Sequence, residues 1–238
     1  MSKICSVKKF LNDRPIFYKK IDYERFPKAY ESIKDKIPLK NVIQIIGTNG
    51  KGSTGRFLAN AIAAAGFRVG HYTSPHVFRL NERIYLAGPT DKRLNSRELN
   101  LDHNSKQCLN LDRGLGELNF ICDSKSPSKP NLNQSSSELA KQNFRSASIG
   151  RDVSDAQLQR AHEFLQANLP AEFKDSLSYF EYLTLAAAVI FRDCDYCVIE
   201  AGMGGEFDAT SSFGRMLSLF TPIDTDHLGM LGQNLEQI

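Results

Sequence analysis

The sequence predicts an α/β fold, a largely parallel sheet flanked by helices, with a phosphate-binding loop at the end of its first strand. Three observations carry this expectation. Short β-branched runs end in glycine or in an acid, apolar residues recur at helical spacing between them, and a glycine-rich turn joins the first run to the first long helix.

Taken in order, residues 1–40 scatter Phe10, Leu11, Phe17, Tyr18 and Tyr23 at near-helical intervals and read as a helical lead-in. Asn41-Val-Ile-Gln-Ile-Ile46 reads as a buried parallel strand that feeds a turn at Gly47. From Ser53 onward Phe57, Leu58, Ala61, Ile62 and Ala65 mark the apolar face of a helix, and Gly66 supplies its C-cap. Arg68 to Thr73 is a second strand, which completes a βαβ unit. Residues 91–150 hold ten Ser and eight Asn with no sustained apolar period, so they read as a disordered, low-complexity insertion. Ser154 can N-cap a helix carrying Leu158, Ala161, Phe164 and Leu165 on one side. Tyr179 to Phe191 is a second, more apolar helix. Asp195 to Glu200 and Met216 to Thr221 are further strands, and several strands end in polar groups, where open α/β sheets bind ligands.

Composition narrows the partners. The chain has 238 residues, 41% hydrophobic and 24% charged, with 30 Lys+Arg against 27 Asp+Glu for a net charge of +3. That balance excludes the basic stripe of a nucleic-acid or anionic-membrane protein, so an anionic ligand must be held by local geometry. The start lacks the apolar segment of a secretory signal, and Leu183–Phe191 is about half the ~18 residues of a membrane span, so a cytoplasmic protein with no membrane or nucleic-acid partner is expected. Five irregularly spaced cysteines do not make a disulfide framework. Cys197, in the apolar run that ends at Glu200, reads as a small buried hydrophobe rather than half of a metal or redox pair.

The chemistry concentrates in a few loops. Gly47-Thr-Asn-Gly-Lys-Gly-Ser-Thr54 follows a strand and opens a helix: its glycines let backbone N–H groups approach phosphates, Lys51 supplies a point charge, and the helix N-terminus adds its dipole. It departs from the generic pattern, with Ile45 where the first glycine belongs and Gly52 between Lys51 and the hydroxyls. Glu200 closes a strand and is followed by Ala-Gly-Met-Gly-Gly205, the arrangement of a metal-binding acid that faces the phosphates. His227 after Asp226 could join it, and Ser74 lies in a turn before Pro75.

Together, Gly47–Thr54, Tyr72-Thr-Ser-Pro-His76, Asn81-Glu-Arg-Ile84, Tyr179-Phe-Glu-Tyr-Leu-Thr184, Glu200-Ala-Gly-Met-Gly-Gly-Glu-Phe-Asp-Ala-Thr210 and Asp226-His-Leu-Gly-Met-Leu-Gly232 resemble, in this order, the Mur ligase superfamily. Within it, Gly52 and the Phe-Asp-Ala-Thr and Tyr-Phe-Glu elements look like the dihydrofolate synthase/folylpolyglutamate synthase family. The resemblance covers roughly 41–88 and 153–238. It implies the Mur-ligase central ATPase domain over 1–238, incomplete at its C-terminal end and interrupted by the 91–150 insertion. It also implies that Ile238 falls short of a lysine that binds a second metal and of the C-terminal domain.

The implied activity is ATP-dependent ligation of L-glutamate to dihydropteroate or a reduced folate through an acyl phosphate, by a monomer using ATP and Mg2+. Residue by residue, the resemblance implies that Gly47, Thr48, Asn49, Gly50, Lys51, Gly52, Ser53 and Thr54 hold ATP, and that Ser74, Glu200 and His227 hold Mg2+. Lys51, Glu200 and His227 would be catalytic, and Phe180, Asp208 and Ala209 would hold the pterin. A carboxylate such as Asp208 can accept paired hydrogen bonds from an amino-pyrimidinone edge. The alternatives are a non-catalytic nucleotide-binding fragment of such a ligase and a relative acting on cell-wall precursors.

Overall fold

In the computed structural model, which describes residues 6–15, 22–89, 150–225 and 231–232, the strands are β1 (Val42–Ile46), β2 (Val69–Tyr72), β3 (Ile84–Ala87), β4 (Arg151–Asp152), β5 (Tyr196–Glu200) and β6 (Arg215–Phe220). They form one sheet in the order β4-β3-β2-β5-β1-β6. The pairs β2–β5, β5–β1 and β1–β6 are parallel, whereas β3 and β4 add antiparallel. The largely parallel sheet expected from the sequence is therefore present. Its antiparallel rim was not legible, because Ile84–Ala87 and Arg151–Asp152 are too short to carry a period.

The helices are α1 (Ser6–Asn12), α2 (Arg25–Glu31), α3 (Lys51–Ala64), α4 (Asp155–Asn168), α5 (Ala171–Ser176) and α6 (Tyr179–Phe191). Alternate strand residues face opposite helical layers, as a doubly covered parallel sheet requires. On β5, Val198 packs with Ile45, Val69, Ala59 and Ala63 under α3. Its neighbours Cys197 and Ile199 join the larger core with α6, α4, α2 and α1. Both Cys194 and Cys197 are free and buried, and burial pushes the Cys194 thiol up to about 12, so they act as apolar groups.

Both long helices after residue 150 start at serine caps. Ser154 accepts from the Gln157 N–H, Ser178 accepts from the Glu181 N–H, and each partner side chain returns the bond. The α3 helix corrects the sequence reading. It begins at Lys51, and it buries Gly55, Ala59 and Ala63, while Phe57 is 77% exposed. The cause is His71 on β2: a Cβ on Gly55 would run into the His71 ring, so only a stripe of small residues lets α3 lie against the strand. The insertion expected at 91–150 lies, except for Gly150, outside the described residues. Among the described residues no helix is long and apolar enough to cross a membrane.

Candidate active site

The β1 strand ends at Ile46 between β5 and β6, so the turn that follows it lies at the C-terminal edge of the parallel strands. Gly50 caps α3 with φ of +84°, a left-handed conformation that glycine adopts without strain. The N–H groups of Thr48 and Asn49 donate to the Pro222 carbonyl at 3.0 and 3.3 Å, and Thr48 Oγ1 donates to the Asp224 carbonyl at 2.9 Å. These bonds tie the loop to the segment after β6. The N–H groups of the first turn of α3 have no partner within the helix and open toward the cavity above the loop.

Lys51 curls back over this loop instead of reaching into solvent. Its Nζ donates to the Gly47 carbonyl at 2.8 Å and to the Thr48 carbonyl at 3.3 Å, and it lies 4.0 Å from Glu200 Oε1. Glu200 is 3% exposed. Its Oε2 accepts from the Thr73 hydroxyl and, at 3.1 Å, from the Ser74 N–H. Burial pushes the Glu200 carboxyl above the ordinary range, against the pull of the Thr73 and Ser74 bonds and the Lys51 charge. Gly52 fits here for a steric reason: a Cβ would stand 2.9 Å from Thr73 Oγ1 and 3.4 Å from Glu200 Oε2. The glycine that departs from the generic loop pattern is what lets α3 approach the acid.

A cavity of about 820 Å³ covers the loop, lined by residues 46–53, Thr73, Ser74, Glu200 and the 202–206 turn. Thr54 lies behind it, its N–H donating to the Gly50 carbonyl. A second cavity, of about 1010 Å³, is lined by Tyr23, Arg25, Tyr179, Phe180, Asp208 and Ala209, among others. Ser74, Pro75 and residues 202–206 line both, so the two cavities share a wall.

In the second cavity the Phe180 ring packs over Gly202, where a Cβ would come within 2.6 Å of it, and faces Tyr72 at 6.0 Å between centroids. Tyr23 and Phe207, both more than half exposed, pack together at 5.2 Å. Arg25 grips Glu181 with two nitrogens, at 2.9 to 3.3 Å, and both side chains are largely buried. The Asp208 carboxylate is occupied by its own loop. Oδ2 accepts from the Gly202 and Met203 N–H groups, each at 3.0 Å, and Oδ1 accepts from the Thr210 N–H at 2.9 Å and its hydroxyl at 2.6 Å. Burial raises the Asp208 carboxyl despite these four bonds.

The structure thus brings the glycine-rich loop, Ser74 and Glu200 to one cavity, and Phe180, Asp208 and Ala209 to its neighbour. His227 lies outside the described residues. Sequence reasoning missed Tyr23, Arg25 and Arg215 as cavity-lining residues, which come from separate segments with no local pattern to mark them, and it assigned no role to Phe207 although the Phe-Asp-Ala-Thr element contains it. Among the described residues no three His, Cys, Asp or Glu side chains gather that could hold a metal ion.

This geometry defines the class: an α/β domain with a glycine-rich loop at the C-terminal edge of its parallel strands and a second cavity beside that loop. The chain is similar to the N-terminal part of dihydrofolate synthase/folylpolyglutamate synthase. It is 28% identical to the Haemophilus influenzae protein of that name over 225 residues, 93% of this chain and 36% of the relative. The structure of Helicobacter pylori folylpolyglutamate synthetase superposes with a TM-score of 0.62 at 32% identity, over 100% of this chain and 46% of that one. E. coli FolC in complex with DHPP and ADP shares the fold, with a TM-score of 0.63 at 22% identity, over 99% of this chain and 42% of that one. The chain therefore spans less than half the length of these proteins. No protein-family model matches it.

Proposed function

We propose that this chain carries the nucleotide-binding part of an ATP-dependent ligase that joins L-glutamate to dihydropteroate or a folate. The observation that supports this best is the shared wall: a phosphate cradle and an aromatic-lined cavity meet at Ser74, Pro75 and the 202–206 turn, beside Glu200. Gly47 to Ser53, Lys51 among them, would hold the ATP phosphates, with the N-terminal amides of α3 toward the oxygens. The planar pterin would lie in the aromatic cavity, against Phe180 and Ala209. Asp208 would serve mainly by fixing the 202–210 loop, since its acceptors are already filled.

The donor set fits a hard divalent cation such as Mg2+. Glu200 Oε1 has no hydrogen-bond donor among the described residues, and with the Ser74 hydroxyl it presents oxygen ligands. With His227 as a third candidate, the bound ion would neutralise charge that develops on the phosphoryl oxygens. A carboxylate oxygen of the pterin substrate attacks the γ-phosphorus, forming the acyl phosphate and releasing ADP. The glutamate nitrogen then attacks the acyl carbon, expels inorganic phosphate and loses a proton. The protein's share is positioning and charge, with Lys51 holding the phosphates and the aromatic cavity holding the acid in line.

The test is ADP release and dihydrofolate formation with ATP, Mg2+, dihydropteroate and L-glutamate, beside Lys51→Ala. ADP release that requires both substrates and vanishes in the variant is the expected result. Tight nucleotide binding without pterin binding would support a nucleotide-binding module instead.

A further inference from the structure

Two arginines line the aromatic cavity, and among the described residues only Arg25 is held in an ion pair. Arg25 is held by Glu181. Arg83 leaves the short 3-10 turn Leu80–Arg83, and among the described residues its side-chain hydrogen-bond and ring partners are not anions. Its Nε donates to His76 Nδ1 at 2.9 Å, and its guanidinium carbon lies 5.3 Å from the centre of the Tyr179 ring. Its carbonyl accepts from the Thr73 N–H at 2.9 Å. The backbone is thus anchored to Thr73 and the side chain to His76, on either side of the Ser74–Pro75 step that lines both cavities. With Nε engaged, the two terminal nitrogens keep the planar fork that matches a carboxylate. The charge of Arg83 also reaches Glu200 and favours its ionised form.

We infer that Arg83 binds the carboxylate of the acyl substrate, a planar aromatic acid in this cavity, and orients it toward the phosphate cradle. The inference deepens the function proposed above and rests on it. A half-buried cation without an anionic partner prefers an acid to a neutral isostere, because pairing offsets the loss of water around both charges. The aromatic walls supply affinity for the ring system whatever its charge, so Arg83 governs discrimination rather than ring binding.

The experiment measures equilibrium binding of dihydropteroate and of its neutral carboxamide, with ADP and Mg2+ present, to the wild-type chain, Arg83→Gln and Arg83→Lys. The wild type should prefer the acid by about 10- to 100-fold. Arg83→Gln should lose that preference by weakening the acid while the carboxamide affinity stays unchanged, and Arg83→Lys should retain part of it. A purely structural role would weaken both ligands equally. An acid preference that survives in Arg83→Gln overturns the inference and leaves the pterin reading standing. Binding of neither ligand to the wild type overturns the pterin reading and the Arg83 assignment together. Should Arg83→Gln fail to fold, Arg83→Lys decides: reduced acid preference with intact carboxamide binding supports the inference, and equal loss refutes it.

Discussion

Glu200 is kept where it is unfavourable for the fold. Its carboxyl lies above the ordinary range because burial disfavours the charged form more than Thr73, Ser74 and Lys51 favour it. The sign follows from linkage: between 4.5, the unfolded value, and its raised folded value, the folded chain holds more protons than the unfolded one, so stability falls as pH rises through that window. Glu200→Gln should therefore stabilise the chain at neutral pH by about 1 kcal/mol while abolishing Mg2+-dependent nucleotide binding. Urea titrations at several pH values check this: the gain should fade as pH falls toward 4.5. His71 carries the opposite imbalance. Burial, aided by the Arg56 charge, depresses its imidazole to about 3, and among the described residues neither ring nitrogen has a hydrogen-bond partner. No sequence pattern announces such a residue, and it is the one that misled the reading of α3.

At the scale of elements, the legible parts were those with long periods or explicit caps. The helix Tyr179–Phe191, the Ser154 cap before α4, and the strands expected at 41–46 and 195–200 stand where local patterning put them to within a residue, whereas the Ser178 cap is added by the structure. The buried face of α3 was not legible, because small residues packed on a histidine carry no hydrophobic signal. The position of the glycine-rich loop and of the acid was readable because their residues are contiguous with a strand, whereas the second cavity is assembled from α2, α6 and the 202–212 loop. Its central tie is Arg25–Glu181, joining α2 to the first turn of α6 across 156 residues. Removing one partner of a largely buried ion pair strands the other charge. Arg25→Ala should cost about 3 kcal/mol of stability and weaken pterin binding, whereas the exposed pair Lys28–Glu24 should matter far less. Chemical denaturation of Arg25→Ala and Lys28→Ala measures the contrast; equal losses would show that the bidentate pair is not what holds α2.

For the molecule as a whole, the consequential feature is that two cavities share one wall. Ser74 is fixed from one side by Glu200, which lines the cavity over the glycine-rich loop, while Gly202 and Met203 of the 202–206 turn are fixed by Asp208, which lines the aromatic cavity. A ligand that orders either anchor orders part of the other site, and the second ligand then meets a surface already in place. ADP with Mg2+ should thus tighten dihydropteroate binding, within the usual range of about 5- to 150-fold for coupled sites. By linkage, dihydropteroate must tighten ADP by the same factor. Calorimetric titration of each ligand in the presence and absence of the other measures both arms of this cycle. Gly202 is the place to break it, since the Phe180 ring occupies the space that a Cβ would need. In Gly202→Ala each ligand alone should still bind while the coupling factor falls toward one, and undiminished coupling would mean that the shared wall is not the route.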